Sequence, residues 1–342
     1  MYSIRAVLFS MVSVSSIACL AQSPELTPLF KEEKPLDIKL SVSLKKIRKE
    51  TNDTTFIAST LYFKDGEKVN WDSIPIRIRA RGQFRRENCY FVPMRVKIKK
   101  GDAKGTVFEG NKSLKLVLPC NTAKTANSLI VKEYICYQLY EPLTPYTFNT
   151  RFLNITLEEL DKKKTTHQLM GFFIEDDDIV ADRFHGKEID STNLHPLALH
   201  DTTSVRHDLF EYWISNTDWS STFYHNVKII QNSRGSSVPI PYDFDMAGFV
   251  NAPYAKGTPA LGTTDSQTRV YRGFCRNEAL VQHVRKEYIA LEPKMNEIIA
   301  QYQSQLDEKD FASTKRFSDE FFTILKSDQK FKQNILDKCR TK

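Results

Sequence analysis

The sequence predicts an α+β protein with two lobes, an N-terminal lobe built on an antiparallel sheet and a C-terminal lobe that is mostly helical. In the first half of the chain apolar and polar residues alternate, as at Ile38, Leu40 and Val42, which is the period of a strand with one buried face. In the second half the period becomes helical, and Leu209 and Trp213 fall on one face. Strand-like runs followed by helical runs are typical of α+β folds.

The strand pattern continues through the N-terminal half and is broken by glycine-containing turns. After the first strand, the predicted strands cover residues 55–63, 74–79, 94–98, 114–118, 151–157 and 169–174. A helix is predicted over residues 128–140, because apolar residues recur there at helical spacing and Pro142 ends the pattern. The acidic run at residues 175–178 is interpreted as the capped start of another helix, whose positive end favours carboxylates.

We divide the chain into a strand-rich N-lobe over residues 37–175 and a helix-rich C-lobe over residues 176–342. The C-lobe contains a predicted hairpin with strands at residues 226–230 and 238–242, followed by two long helices. Before the N-lobe, residues 22–36 carry three prolines among charged residues. We expect this segment to be an exposed leader.

The first residues have the layout of a cleaved secretory signal. A short basic start with Arg5 precedes a run of apolar or small residues at 6–20, and the small Ala21 follows. We therefore expect residues 1–21 to be a signal peptide and the protein to be exported to the periplasm, the cell surface or the medium. The alternative is a lipoprotein acylated at Cys19.

Composition is ordinary for a globular chain of this length, with 41% hydrophobic and 27% charged residues. No segment after the signal is long and apolar enough to predict a transmembrane span. The formal net charge of +7 favours anionic partners such as phosphates or acidic glycans, while a nucleic-acid partner is not expected. The sequence leaves the oligomeric state open.

The cysteines do not have the spacing of a metal site. Five of the six remain after the predicted cleavage, and no CxxC pair occurs, so a zinc site is not expected. Outside the cytoplasm a pair can oxidise. We expect Cys89 to pair with Cys120, because both flank strand-like runs that can be neighbours. Buried free thiols are the alternative.

Polar residues that point to chemistry stand at the ends of elements in the C-lobe. Asp218 follows a helix, Asn226 begins a strand, and Asp243 and Asp245 end the next strand. Carboxylates in such places usually hydrogen-bond, pair with a cation or bind a metal. Carboxylate and amide oxygens suit Mg²⁺, which completes its shell with phosphate and water. The alternative is an Asx turn that ends at Asp218, with Asp245 beginning a second turn.

The order of these residues parallels the parts of a phosphoryl-transfer site. Asp218 would orient the attacking hydroxyl, Asn226 would hold the metal, and Asp243 would bridge the metal to phosphates. The gap between Asp218 and Asn226 is longer than in the protein-kinase catalytic loop. His225 is expected to orient Asp218 or Asp243, unless it is a structural donor. A carboxylate pair of this kind could also serve glycoside hydrolysis as acid and base.

Basic residues of the N-lobe are candidates for nucleotide binding. Lys115 lies in an alternating strand and is expected to pair with Glu133 on the next helix and to hold the phosphates of ATP. The chain has no glycine-rich phosphate loop, so Arg79 and Arg81 are the candidates for contacting phosphates through their guanidinium groups. A solvated strand face for the lysine and a basic exposed hairpin for the arginines are the alternatives.

Several segments together resemble the spore-coat-protein-H-like (CotH) kinase family. In order along residues 70–250, the matching segments are Ile76-Arg77-Ile78-Arg79-Ala80-Arg81-Gly82, Arg95-Val96-Lys97-Ile98, Leu114-Lys115-Leu116, the helix over 128–140, Asn216-Thr217-Asp218, Asn226 and Ile240-Pro241-Tyr242-Asp243-Phe244-Asp245. The chain departs from the family pattern at Gln83-Phe84-Arg85-Arg86. It also resembles a set of uncharacterised exported bacterial proteins at residues 216–219, 241–245, 251–254 and 271–276.

The first resemblance implies an atypical protein-kinase-like fold that binds ATP and a divalent cation and transfers phosphate to a protein hydroxyl. It implies that Asp218 is the catalytic carboxylate and that Asn226 and Asp243 bind metal, with Asp245 where the family often repeats an acid. The function expected is therefore that of an exported kinase-like phosphotransferase acting on a protein substrate. The alternative on the same fold is a non-catalytic surface or periplasmic binding protein.

Overall fold

The structure is a computed structural model that describes residues 26–66, 68–161, 165–190 and 194–341. The predicted signal peptide at residues 1–21 lies outside these residues. The described chain has an α+β architecture with two main hydrophobic cores. One core fills the N-terminal sheet, and the other surrounds a central helix and the C-terminal helices.

The N-terminal sheet is a closed barrel with strand order β1-β2-β3-β4-β5-β7-β6. Its strands are β1 (Leu36–Val42), β2 (Ile57–Lys64), β3 (Asp72–Ala80), β4 (Met94–Ile98), β5 (Ser113–Val117), β6 (Thr150–Glu159) and β7 (Thr165–Ile174). All neighbours pair antiparallel except β1 and β6, which are parallel. Alternate side chains of the strands point into the barrel and form its core.

The prediction of a kinase-like N-lobe with an open antiparallel sheet is therefore wrong. The barrel closes because β1 adds in parallel to β6, with Leu36 opposite Leu153 and Leu40 opposite Leu157. Alternation along a strand reports which face is buried but does not report which strand is the neighbour. Closure removes the free edges that the predicted sheet would have left.

The described part of the predicted leader is exposed at residues 31–35 but docks on the barrel through two apolar residues. Residues Pro28–Lys31 form a short helix, α1, and Leu29 and Phe30 are buried against the barrel core. Arg151 of β6 donates a hydrogen bond to the carbonyl of Leu29 at 3.0 Å. Prolines and charges suggested a solvated segment, and residues 31–35 are exposed, whereas the two apolar residues before them dock on the barrel.

Helices connect several of the barrel strands and form much of the C-terminal half of the described chain. They are α2 (Leu44–Glu50), α3 (Gln83–Asn88), α4 (Lys100–Ala103), α5 (Ala126–Tyr140), α6 (Asp177–Arg183), α7 (Asp201–Trp213), α8 (Glu278–Gln301), α9 (Glu308–Lys326) and α10 (Asp328–Asn334). The helix predicted over residues 128–140 is confirmed as α5. It is buried on nearly every side, because it packs on β6 and β7 of the barrel and on α8.

A small second sheet, with strand order β10-β9-β8, lies after the barrel. Its strands are β8 (Lys187–Ile189), β9 (Val227–Gln231) and β10 (Ser237–Pro241). The predicted hairpin is confirmed as the antiparallel pair of β9 and β10, with Val227 opposite Pro241. This register brings the residues just before β9 beside those just after β10.

Two disulfides join distant parts of the described chain. Cys89 is bonded to Cys120, as predicted, and Cys275 is bonded to Cys339 near the C-terminus, which was not predicted. Cys136 of α5 is a buried free thiol. Disulfides persist in oxidising compartments, so the two bonds are compatible with export. Within the described ranges no helix is both long and apolar enough to cross a bilayer.

Candidate functional site

The predicted polar residues meet at the open end of the β9–β10 hairpin. Asn226 precedes β9 and Tyr242 follows β10, and the amide of Tyr242 donates to the carbonyl of Asn226 at 3.1 Å. Asn226 and Asp243 both have left-handed backbone conformations, with φ of 52° and 63°. Asn and Asp tolerate this region better than most residues. Such conformations are concentrated at functional sites, where the surrounding fold holds them in place.

Asp218 is fixed by its neighbours at this end of the hairpin. His225 Nε2 lies 3.0 Å from Asp218 Oδ1, and Asn226 Nδ2 donates to Asp218 Oδ2 at 3.1 Å and to its carbonyl at 2.7 Å. The Asx turn is also present, because the amide of Asp218 donates to Asn216 Oδ1 at 3.0 Å. His225 therefore orients Asp218 rather than Asp243. The turn and the polar contact occur together, so the two interpretations of this segment are compatible.

Asp243 and Asp245 have different surroundings. Tyr254 donates its hydroxyl proton to Asp245 Oδ2 at 3.3 Å, and Arg85 Nε lies 3.7 Å from the same oxygen. The half-buried carboxylate of Asp243 has no hydrogen bond or ion pair among the described residues, although its amide donates to the Tyr137 hydroxyl at 2.9 Å. Burial raises the pKa of Asp245 to about 6, and the charges of Asp243 and Asp218 add to the effect. The three carboxylates thus share one electrostatic environment.

A buried arginine links the hairpin end to α5. Arg85 of α3 lies 3.6 Å from Glu133 and donates to the carbonyl of Leu118 at 2.9 Å, in addition to its contact with Asp245. Burial raises the pKa of Glu133 to about 8, and the charge of Arg85 opposes this rise. Burial also works against the charged form of Arg85, but the Glu133 and Asp245 carboxylates outweigh it and raise its pKa. Sequence reasoning missed Arg85, although its segment stood out as a departure from the resembled family.

The expected pairing of Lys115 with Glu133 is wrong. The Lys115 ammonium lies 2.5 Å from Asp177 Oδ1, while Glu133 faces Arg85. Lys115 is also over the rings of Phe148 and Tyr242, at 4.6 and 5.0 Å from their centroids. The pairing differs because β5 lies beside β7 in the barrel, and α6 begins just after β7, which delivers Asp177 to the lysine.

Lys115 and Asp177 form a charge pair at the wall of the site. Burial lowers the pKa of Lys115 to about 8, the Asp177 carboxylate opposes this, and the nearby positive charge of Arg81 adds to it. Burial works to raise the pKa of Asp177, but Lys115 and Lys228, which lies at 3.7 Å, outweigh it and hold that pKa below its usual range. The Asp177 carboxylate keeps its charge because several cations surround it. Lys115 is more deeply buried and contacts one carboxylate, so burial outweighs that contact and lowers its pKa.

The acidic run that precedes and opens α6 therefore has two roles. Asp176 caps the helix as predicted, by accepting a hydrogen bond from the amide of Asp178 at 3.4 Å. Asp177 instead faces the site, a role that sequence reasoning missed. The available signal was its place directly after a barrel strand, since polar residues at strand ends are frequent in functional sites.

Arg79 and Arg81 diverge, although both belong to the basic segment proposed for phosphate contact. Arg79 pairs with Asp53 at 2.9 Å on the outside of the barrel. Arg81 is half-buried, and its guanidinium has no hydrogen bond or ion pair among the described residues. Burial is the main cause of the raised pKa of Tyr137, and the charge of Arg81 opposes that rise. Arg81 and Asp243 therefore both act electrostatically on Tyr137, whereas Arg79 is paired on the outside of the barrel.

The oxygen donors around the hairpin end, which we call the cleft, suit a hard divalent cation that arrives with a ligand. Within the described chain no group of three His, Cys, Asp or Glu side chains could hold a metal ion by itself. Mg²⁺ commonly takes one or two carboxylates and completes its shell with substrate phosphates and water. The unpartnered Asp243 carboxylate provides one such ligand, and Glu133 Oε1 is a buried oxygen without a hydrogen-bond partner. The donor set fits Mg²⁺ held jointly with a phosphorylated molecule.

No protein-family model and no curated protein matches this chain. The resemblance to CotH kinases therefore stays a prediction based on the quoted residues.

Proposed function

We propose that the chain is an exported phosphotransferase that uses Mg²⁺ and ATP to phosphorylate a hydroxyl group of a protein. The observation that carries the proposal is a pair of charges without a partner among the described residues, the Asp243 carboxylate and the Arg81 guanidinium, which both act on the buried Glu133. An unneutralised charge in a half-buried site is costly. A metal-bound polyphosphate supplies both counter-charges, because its cation suits Asp243 and its oxygens suit Arg81.

The residues of the cleft divide the work of phosphoryl transfer. Mg²⁺, when bound, neutralises charge on the transferred phosphoryl group. Asp243 and Asn226 are the residues that would hold the ion, with Asp245 close behind them. Asp218 is placed to orient the acceptor hydroxyl, since it is half-exposed and held by two side chains.

The basic side of the cleft would bind the phosphates. Arg81 offers a planar set of N–H donors that matches phosphate oxygens. Lys115 adds positive charge from the barrel wall, and Glu133 acts indirectly by positioning Arg85. Arg79 is left out of the nucleotide site because it is engaged with Asp53. The proposal concerns the site and not the fold, since the same chemistry occurs on unrelated folds.

A non-catalytic binding protein is the second candidate, and one observation favours it. Both carboxylate oxygens of Asp218 already accept hydrogen bonds, Oδ1 from His225 and Oδ2 from Asn226. A carboxylate engaged in this way has fewer free lone pairs with which to accept the proton of a substrate hydroxyl. On this candidate function the cleft binds the phosphorylated molecule without transferring its phosphate.

Ligand binding is tested by thermal unfolding of the mature protein with and without Mg²⁺ and ATP. At about 100 times the dissociation constant a ligand adds about 2.7 kcal/mol of stability, which raises Tm measurably. We expect the rise to be lost in Asp243→Ala and in Arg81→Gln. The control is Asp102→Ala, which removes an exposed carboxylate of α4 and should keep the rise. A wild-type protein without any rise would contradict the proposal.

Transfer is tested separately, with a peptide library containing serine, threonine and tyrosine as the acceptor. The proposal expects wild-type protein to release ADP and label the library, and Asp218→Asn to keep the Tm rise but lose the labelling. Unchanged labelling in Asp218→Asn would exclude Asp218 as the catalytic residue. A Tm rise without labelling by the wild type would favour the binding protein.

A further inference from the structure

The outer face of the barrel carries a row of cations that leads into the cleft. Basic residues stand at every second position toward the end of β3, and basic residues of β4 stand directly opposite two of them. On the next strand, Lys115 of β5 stands directly opposite Arg95 of β4. Directly opposite residues of an antiparallel pair share a face. We call this row the cationic track, and it consists of Arg77, Arg79, Arg81, Arg95, Lys97 and Lys115.

The track brings like charges together across the sheet. Lys97 stands opposite Arg77, and Arg95 stands opposite Arg79. Like charges in this position destabilise a sheet. Arg79, Arg95 and the buried Lys115 have carboxylate partners, whereas the exposed Arg77 and Lys97 have none among the described residues. The fold therefore leaves positive charge unneutralised along the part of the track that is most open to solvent.

We infer that the cationic track binds an extended acidic segment of a protein, the segment of the acceptor that lies beside the phosphorylated hydroxyl. Alternate residues of an extended chain lie about 7 Å apart, so carboxylates at every second position match the spacing of basic residues along β3, such as Arg77 and Arg79. The track ends at Arg81 and Lys115, which lie beside the cleft. Delivery of a hydroxyl to Asp218 rests on the proposed function, but binding of the acidic segment does not.

The surroundings of the track favour a polypeptide over a nucleic acid or a membrane. Phe56 is the aromatic ring beside the open part of the track, and Arg77, Arg79 and Lys97 lie over it at 5.8, 5.5 and 4.6 Å. The ring is therefore covered and is not free to stack on a base. None of the large apolar side chains that are exposed in the described chain belongs to β3 or β4, so the track has no apolar anchor for a bilayer.

The test measures binding of a short fluorescent peptide of alternating glutamate and threonine by anisotropy. Each exposed ion pair contributes up to about 1 kcal/mol, so Arg77→Ser with Lys97→Ser should weaken binding about tenfold. The matched control, Lys309→Ser with Lys330→Ser, removes the same charge from exposed positions on α9 and α10 and should change binding by less than about twofold. Equal loss in both double variants would overturn the inference.

Two further measurements assign the partner and separate the two proposals. The wild type and the track variant are also tested for binding to oligothymidylate and to phosphatidylglycerol vesicles. If the wild type binds either one more tightly than the peptide, and the track variant loses this binding, the partner is a nucleic acid or a membrane and not a polypeptide. The Tm rise with Mg²⁺ and ATP should be unchanged in the track variant. If the wild type does not bind the peptide but its Tm rises with Mg²⁺ and ATP, the cationic track alone is overturned. If the wild type binds the peptide but its Tm does not rise with Mg²⁺ and ATP, the phosphotransferase alone is overturned.

Discussion

Replacing Arg85 by methionine should destabilise the protein, and the loss should grow with pH. The guanidinium lies between two buried carboxyl groups, 3.6 Å from Glu133 and 3.7 Å from Asp245. Methionine fills much of the same space without the charge. The variant therefore leaves both carboxyl groups buried without their cation, and each can remain in the fold only by holding a proton.

The sign of the pH dependence follows from the pKa values of the two acids. In the wild type their pKa values, about 8 for Glu133 and about 6 for Asp245, lie above the ordinary 4.5 and 3.8. The folded state thus binds these two protons more tightly than the unfolded state does. Their contribution to the free energy of unfolding is therefore lost as the pH rises through the pKa values of the folded state. Without Arg85 both pKa values rise further, and each added unit costs about 1.4 kcal/mol at alkaline pH.

The expected loss of stability in Arg85→Met differs between pH 8 and pH 5. At pH 8 removing one partner of a buried pair should cost about 3–5 kcal/mol. At pH 5 both carboxyl groups are mostly neutral in the fold, so the main loss is the hydrogen bond from the charged Arg85 to the carbonyl of Leu118, worth about 1.5–3 kcal/mol. The difference between the two conditions is large compared with the error of a denaturation curve.

The assay is urea denaturation of wild type and Arg85→Met at pH 5 and pH 8. The control is Arg86→Met on the same helix, because Arg86 donates to the carbonyls of Arg48 and Thr51 at 3.1 and 2.8 Å and has no carboxylate partner among the described residues. Its loss should be the same at both pH values. The reasoning is refuted if Arg85→Met loses equal stability at both pH values or loses more at pH 5.

Three further changes test other parts of the structure. Asp177→Asn should cost about 3 kcal/mol at pH 7; the pKa of Asp177 is held below its usual range, so this contribution is present above the ordinary value and should vanish, with the two stabilities converging, as the pH falls through the lowered pKa. Asn226→Ala should be about 1 kcal/mol less stable than Asn226→Gly in urea, because alanine is strained at a φ of 52° and glycine is not; equal stabilities would argue against the left-handed conformation. Removing the bond between Cys275 and Cys339 by a double serine substitution should lower the free energy of unfolding by about 4 kcal/mol for a separation of 64 residues, and a loss below 1 kcal/mol would contradict the bond.

The sequence predicted the members of the site better than their contacts. Asp218, Asn226 and Asp243 were predicted to converge because each stands at the end of an element, and the hairpin register brings Asn226 beside the residues that follow β10. The contact of His225 with Asp218 was one of three expected outcomes. The partner of Lys115 was predicted wrongly, because it is set by which strands are neighbours in the barrel.

Local order along the chain was determined by the sequence itself. The strand alternation, the helix α5 and the hairpin of β9 and β10 depend on residues close to one another, so their periods can be read directly. The pairing of Cys89 with Cys120 was expected because each cysteine flanks a predicted strand. Those strands, β4 and β5, are neighbours in the barrel.

Tertiary structure decided the closure of the barrel, the docking of α1, the bond between Cys275 and Cys339, and which charges remain free. These features join segments far apart, as where Asp37 of β1 accepts a hydrogen bond from Asn154 of β6 across 117 positions. The free energy of such contacts depends on shared burial and on competing partners, and neither quantity is encoded in a local pattern. For the same reason Arg79 and Arg81, two positions apart, have opposite fates: Asp53 neutralises the first, and the second acts on the buried Glu133.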